Sequence, residues 1–565
     1  MPSDSVPDLA SIEVARLLLA ALQSHGVRDV VICPGSRSAP LAYALAEAEA
    51  AGTIRLHVRI DERGAGFTAL GLSLASGAPV PVVTTSGTAV GELLPSVMEA
   101  NHVGARLLVV SADRPTELHG TGANQTTNQV DLFGAHVRGS VTIPAGTNPD
   151  SLVAAALASA RGSAAVAPGP VQINVAFRDP LVPVPGDKLP DFGANVTHPP
   201  VALEPGADLG WRNHTPGAER RTVVVAGHGA GSEAEDFART LGLPLFAEPS
   251  SNARFGPNAI GPYRTLLAKH LGRIERVVLF GRPTLSRPVG MLLGSPDIES
   301  ALWSPAPAPW FERGRRREKN ISDPAALVEF AGVAPEGWLE KWQRLGRQAG
   351  ETIKASIAAN GVLNGPVVAR EVWELSRGNL VLGSSNVIRD ADLCGRPAEK
   401  AAARVYANRG LAGIDGTVAT ATGIAQARGG RKTTLLVGDV TFLHDVGGLL
   451  IGEGEHEPEM DVVILNDAGG AIFSTLEHGA VEESGRYANA VERLFATPHR
   501  VRIQPLAAAY GWEYLAVNTV EELRSVLQTP GTRRLIEVAV PRRGLRAMHA
   551  GITAQINELG WPEAR

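Results

Sequence analysis

Cysteine is scarce in this chain: Cys33 and Cys394 are the two among 565 residues. They could pair only once and show no metal-ligand spacing, so a disulfide scaffold is excluded, and a reduced, cytoplasmic setting is expected. An excess of positive charge is also missing. Lys and Arg number 53 against 58 Asp and Glu, a formal net charge of −5, so no bulk basic field draws nucleic acid. No run of about 18 apolar residues occurs, and no membrane span is expected. The opening residues, MPSDSVPDLA, are acidic and lack the basic-then-apolar order of a secretory signal. Neither a P-loop nor a G-x-G-x-x-G opens any strand–helix unit, which disfavours an ordinary nucleotide-binding enzyme.

What remains is ordinary globular material: 44% hydrophobic and 20% charged residues. The length suggests about three to four domains at roughly 150 residues each. Basic residues are mostly Arg, which stays charged and grips carboxylates in a bidentate fork.

The first third alternates helix and strand. Apolar residues at helical spacing over 9–25 end at Gly26, and VVIC (30–33) is a short buried strand closed by PGSR. An Ala-rich helix is expected over 38–50, and the strand LHVRI (56–60) precedes a helix opening after Asp61. PVPVVTT (79–85) turns on Gly87 into a helix, and RLLVVSA (106–112) is another strand. This order predicts an α/β fold with a doubly wound parallel sheet, whose strand C-terminal ends carry ligand-binding loops. From FRDPLVPVP (177–185) to about residue 218 the chain turns Pro-rich and polar, as a linker does. RTVVVAGHGAG (221–231) and RVVLFGRPT (276–284) mark a second unit, and the Pro- and Arg-rich stretch 305–322 is expected to be loop. A third unit starts near 355, with a helix in NGPVVAREVWELS and strands in NLVLGSSN, TTLLVGD (433–439), MDVVILND (460–467) and RRLIEVAV (533–540). The expected domains are thus 1–190, 215–350 and 355–565.

Two strand ends of the third unit carry the chemistry. LLVGD ends at Gly438-Asp439, and DVVILND ends at Asn466-Asp467, followed by Ala468-Gly469-Gly470. Adjacent parallel strands can bring such ends to one lip. A carboxylate, a second side-chain oxygen and a backbone carbonyl suit Mg²⁺, and glycines let the backbone approach a diphosphate. A Gly-Asp after one strand is common turn chemistry; two such ends together are less easily dismissed. The paired pattern resembles the signature of thiamine-diphosphate enzymes. That resemblance implies Asp439, Asp467 and the Gly469 carbonyl as ligands of Mg²⁺, with Mn²⁺ as an alternative, and Gly470 as a further cofactor contact. Position 467 departs from the usual Asn, so Asn466 stays open as the side-chain ligand.

Enzymes of this kind also need a carboxylate for the cofactor's pyrimidine ring. Glu62 follows a strand and opens a Gly- and Ala-rich helix, in the run Glu62, Ala65, Ala69, Gly71 that such enzymes share. Taken alone it would read as a first-turn carboxylate satisfying a helix dipole. The runs CPGSRSAPL (33–41), HVRIDERGAGF (57–67), TTSGTAV (84–90), SADRPTELHGTGANQT (111–126), NRGLAGIDGTVATATG (408–423) and GDVTFLHD (438–445) narrow the likeness. Collinear across the chain, and weakest in the central unit, they resemble the 2-succinyl-5-enolpyruvyl-6-hydroxy-3-cyclohexene-1-carboxylate synthase family of menaquinone biosynthesis.

That likeness implies three consecutive domains of the thiamine-diphosphate type: pyrimidine-binding, central and diphosphate-binding. It implies a cofactor shared between chains, hence a homodimer at least and a homotetramer by analogy. The implied reaction condenses 2-oxoglutarate, with loss of CO₂, with isochorismate by 1,4-addition. Both substrates are dicarboxylates, so a site rich in Arg and polar donors is required. The likeness assigns substrate contacts to Ser36, Arg37, Arg114, Asn124, Gln125, Arg287, Ser385, Arg389 and Arg409, with Arg282 competing for the place of Arg287. It sets Ile414 under the cofactor and Ile472 and Phe473 near the substrate. Cys33, without an evident His partner, reads as a buried small hydrophobe, and His57 and His119 receive no role. An enzyme of the acetolactate synthase or 2-oxo acid decarboxylase kind, or an inactive thiamine-fold binding protein, remains the alternative.

Overall fold

The computed structural model describes residues 8–184, 209–311, 314–358, 361–427 and 431–563. From 185 to 208, the linker expected over 177–218 lies outside the described residues.

Three parallel sheets follow one another along the chain. The first holds β1 (Asp29–Ile32), β2 (Arg55–Val58), β3 (Val80–Thr84), β4 (Leu107–Asp113), β5 (Ser140–Ile143) and β6 (Val171–Ala176), in the order β2-β1-β3-β4-β6-β5. The second holds β7 (Thr222–Ala226), β8 (Leu245–Ala247), β9 (Arg276–Phe280), β10 (Glu299–Trp303) and β11 (Lys319–Ile321), in the order β11-β10-β9-β7-β8. The third holds β12 (Gly378–Leu382), β13 (Ala403–Tyr406), β14 (Thr433–Gly438), β15 (Met460–Asn466), β16 (Glu513–Val517) and β17 (Arg533–Ala539), in the order β13-β12-β14-β15-β17-β16. Central strands such as β4 and β14 are buried on both faces, as helix-covered parallel strands must be. Counting from each unit's first strand, the first and third sheets share one order, 2-1-3-4-6-5.

The apolar patterning locates the central strands and misses several others. β6, VQINVA, buries Gln172 and Asn174. Their amides form a ladder with Gln129, Ser111 and Asp113, so the strand lacks an apolar signature. The stretch 305–322 is not all loop: β11 pairs with β10 as a short polar edge strand. The helix Trp338–Ala358 runs unbroken past residues 350–355, where the sequence suggests a boundary.

The first and third units meet through two helices, Glu62–Ser76 and Thr417–Gln426. A Cβ on Gly71 would strike the Thr420 carbonyl, and one on Gly423 would strike the Thr68 carbonyl. The two backbones approach this closely because glycine stands at both crossing points. This contact fixes how the helix begun by Glu62 sits on the third unit.

Candidate active site

β14 and β15 pair in parallel register from Thr433↔Met460 to Gly438↔Leu465. Asp439 and Asp467 therefore leave the sheet beside each other. Asp439 is 1% exposed. Its Oδ1 accepts the Val440 N–H at 2.7 Å, its Oδ2 accepts the Gly469 N–H at 2.9 Å, and His499 Nε2 lies 3.1 Å from Oδ2. Burial raises the pKa of this carboxyl, and those partners oppose the rise.

Asp467 has an oxygen to spare. Its Oδ1 is buried without a partner. Burial, then repulsion from Asp439, pushes this carboxyl up to about 7. Asn466 is spent on the fold: Nδ2 donates to Glu537 at 2.6 Å, and Oδ1 accepts the Ala468 N–H at 3.0 Å. The turn between them places Ala468 at φ 57°. A Cβ on Gly469 would collide with Arg542, whose Nη1 is itself buried without an acceptor. Among the described residues no three His, Cys, Asp or Glu side chains form a metal cluster. Two carboxylates with one idle oxygen, beside a bare glycine backbone, fit a cation that takes its remaining ligands from carbonyl and phosphate oxygens.

These residues line a cavity of about 530 Å³. Ser385, Asp439, Asp467, Gly469 and Gly470 give it a polar floor, and Ile414, Ile472, Phe473 and Leu465 an apolar wall. Phe473 is tilted against Phe495, ring centroids 5.6 Å apart. Arg389 stands just outside, one turn along the helix Asn386–Cys394, and its Nη1 donates to the Ser385 carbonyl at 2.6 Å. Arg409 is 3% exposed, and its guanidinium is bonded to Thr284 of the second unit. Burial lowers the pKa of both arginines. Arg287 is exposed and ion-paired with Glu477, whereas Arg282 donates to the Gly410 carbonyl at 2.6 Å, next to Arg409.

A second cluster forms on the first unit. Ser36 and Arg37 follow β1, and Arg114 follows β4. Arg114 Nη1 donates to the Ser86 hydroxyl and, at 2.5 Å, to the Gln125 carbonyl. Gln125, at φ 55°, returns a bond from Nε2 to the Ser86 carbonyl at 2.8 Å. Arg37 donates to the Phe177 carbonyl at 2.9 Å and keeps a buried Nε without a partner. Ser36 and Asn124 are exposed. Glu62 is half-buried and begins its helix under an Asp61 cap, which accepts the Arg63 and Gly64 N–H groups. Burial, then Glu62 and Asp61, pushes the neighbouring Cys33 thiol up to about 12; it stays protonated, as a small core residue does. His57 is bonded to Asp29 and His119 to the Arg114 carbonyl.

Apart from Arg287, in the second unit, the residues singled out in the sequence thus fall into two groups. Every residue lining the cavity comes from 362–548, in the third unit, while Glu62, Arg37, Arg114 and Gln125 belong to the first. Sequence reasoning passed over His499, Arg542, Glu99 and Glu248. No local motif marks them; each matters only through what folding sets beside it.

Comparison with known proteins bears on both groups. Residues 12–132 match the family model of the thiamine pyrophosphate enzyme N-terminal TPP binding domain, and residues 396–533 that of the C-terminal TPP binding domain. A protein of Paenarthrobacter aurescens (strain TC1), named 2-succinyl-5-enolpyruvyl-6-hydroxy-3-cyclohexene-1-carboxylate synthase, is 59% identical over 98% of this chain and 98% of its own length. Proteins of the same name from Arthrobacter sp. (strain FB24) and Mycobacterium avium (strain 104) are 57% and 41% identical, over 99% and 96% of this chain and 94% and 99% of theirs.

Proposed function

The chain belongs to the 2-succinyl-5-enolpyruvyl-6-hydroxy-3-cyclohexene-1-carboxylate synthase family of thiamine-diphosphate enzymes, and on that premise we propose that it condenses 2-oxoglutarate, with loss of CO₂, with isochorismate in menaquinone biosynthesis. The observation that carries the cofactor part of this reading is the buried, unpartnered Oδ1 of Asp467 beside Asp439 at the floor of the cavity; the substrate pair rests on the family.

Asp439, Asp467 and the Gly469 carbonyl would hold Mg²⁺, or Mn²⁺, and through it the diphosphate. Asn466 is the poorer candidate because both ends of its amide are engaged. Gly470 would lie along the phosphates, and Ile414 would support the cofactor from below. Glu62 would hold the proton of the pyrimidine ring nitrogen. When bound, the cofactor supplies the carbon nucleophile and the electron sink that decarboxylation and bond formation need. The chain's own groups bind and orient the substrates. Arg389, Arg409 and Ser385 on one side, and Ser36, Arg37, Arg114, Asn124 and Gln125 on the other, would grip the four carboxylates. Ile472 and Phe473 would exclude water from the reacting centre. Arg282 fits the place given to Arg287 better, since it already lies against the Arg409 loop.

Two chains are needed in this reading. The diphosphate cavity is built within the third unit, and Glu62 stands beside exposed apolar residues, Val58 at 42% and Ile60 at 70%. A second copy laying its first unit over the cavity would cover such residues, giving a homodimer and, by family likeness, a homotetramer. No described helix is long and apolar enough to cross a membrane; a cytoplasmic location belongs to the same reading.

The test is incubation with thiamine diphosphate, Mg²⁺, 2-oxoglutarate and isochorismate, with product mass as the readout. The expected product forms with this pair alone. CO₂ release from pyruvate, with no such product, would replace the reading by an acetolactate-synthase-like one.

A further inference from the structure

Arg409 is held from two sides by carboxylates that belong to other units of the chain. Its Nε donates to the Thr284 hydroxyl at 2.9 Å and its Nη2 to the Thr284 carbonyl at 2.7 Å. Thr284 is not free to choose its place. Glu248, 1% exposed, accepts the Thr284 N–H at 2.9 Å and the Leu285 N–H at 2.9 Å. The backbone of Arg409 is fixed in turn. Glu99, 4% exposed on the first-unit helix Leu94–Val103, accepts the Gly410 N–H and the Leu411 N–H, each at 2.7 Å. On the other side, the Ser384 hydroxyl donates to the Asn408 carbonyl.

Burying a carboxylate is costly; burial raises the pKa of both Glu248 and Glu99, and backbone N–H groups and the Arg409 charge oppose the rise. Such arrangements specify geometry more than they add stability. The geometry they specify is legible. With Nε and one side of Nη2 committed to Thr284, the Nη1 end of the fork remains for a planar anion. A guanidinium whose rotamer and backbone are both fixed loses little entropy when a carboxylate arrives.

We propose that Glu248 is a positioning residue for Arg409, so that the second unit, where the family likeness is weakest, sets the orientation of a substrate-binding arginine. The inference rests on the reading of Arg409 as a substrate contact, and the test separates the two. Steady-state kinetics with 2-oxoglutarate and isochorismate are measured on cofactor-loaded protein for Arg409→Ala, Glu248→Ala, Glu248→Gln and the double variant Arg409→Ala/Glu248→Ala, each checked for its unfolding midpoint. Arg409→Ala is expected to lower kcat/KM by at least about tenfold, the range for lost charged hydrogen bonds. Glu248→Ala is expected to lower it about five- to fiftyfold, mainly through KM, with thiamine diphosphate affinity unchanged. Glu248→Gln keeps an oxygen for both N–H groups and recovers most of the loss. In the double variant the Glu248 change adds less than about twofold, because the residue it serves is gone. If Glu248→Ala does not fold, Thr284→Val, which removes the hydroxyl that Glu248 places against Arg409, carries the test in the same cycle. Full additivity in the double variant, or a silent Glu248 series beside an impaired Arg409→Ala, overturns the positioning role and leaves the substrate assignment standing. A silent Arg409→Ala overturns both.

Discussion

A buried carboxylate beside a half-buried one is costly, and at Asp439 and Asp467 the fold offers only partial relief. Asp439 has two backbone N–H groups and His499 around it, whereas Asp467 retains an oxygen with no partner. A divalent cation would satisfy that oxygen and cancel the repulsion. Asp467→Asn is therefore expected to be mild, since an amide oxygen also ligates Mg²⁺, while Asp467→Ala weakens thiamine diphosphate binding in an Mg²⁺-dependent titration. Asn466→Ala is expected to keep cofactor affinity within about threefold, an effect small on the kcal/mol scale, because Asn466 serves Glu537 and the Ala468 N–H instead. The opposite pair of results would shift the ligand register by one residue. Glu62 obeys a different logic. Glu62→Gln preserves size but cannot stabilise the protonated ring, so cofactor binding persists and turnover falls by on the order of 10²–10⁴. Near-normal turnover would remove Glu62 from the site. At this scale the sequence singles out a residue where a motif carries it, as at Asp439, Gly469 and Glu62. It was silent at Glu99, Glu248 and His499, whose partners stand 311, 36 and 60 residues away along the chain.

Among the elements, the helix Glu62–Ser76 would do two things at once: its first residue is the one proposed for the chemistry, and its far face binds the third unit. Small residues at Ala65, Ala69 and Gly71 already announce a helix made for close packing, but not its partner. The partner, Thr417–Gln426, descends from the loop that carries Arg409 and Ile414. Gly423→Val places a branched side chain against the Thr68 carbonyl and is expected to cost at least about 2–3 kcal/mol by overpacking. The measurement is a denaturant or thermal melt, with activity assayed at a temperature where the variant remains folded. An unchanged midpoint would mean that the two helices can part without loss. The strands show the complementary lesson. β4, β14 and β15 read plainly because both faces are apolar, while β6 hides behind a buried amide ladder and β11 behind its polar edge position. The hydrophobic pattern reports what a strand face meets only when that neighbour is also apolar.

The molecule as a whole consists of two sheets of one strand order, 2-1-3-4-6-5, joined helix to helix, with a five-stranded sheet between them in sequence. The two cofactor-binding family models fall within the units of the two like sheets, over β1–β4 of the first and β13–β16 of the third. The sheet between them was the least legible part. Only β7 and β9 of its five strands read plainly, and its contribution to the site passes through a backbone, Thr284–Leu285, and a carboxylate, Glu248, neither of which forms a motif. Spacing along the chain also could not show that the arginines divide into a group around Arg409 and Arg282 and another around Arg37 and Arg114.

The confinement of the cavity lining to residues 362–548 has a genetic consequence. If each reaction centre borrows Glu62 from one chain and Asp439 from another, two crippled proteins can repair each other. A Glu62→Gln chain still lends an intact floor, and an Asp439→Ala chain still lends an intact glutamate. In a mixed dimer one centre inherits both lesions and the other inherits none. Co-expressing or reassembling the two variants in equal amounts should therefore return about a quarter of wild-type turnover, from statistical pairing in a twofold assembly, where each variant alone is nearly inert. Centres confined to single chains would give no recovery at any mixing ratio.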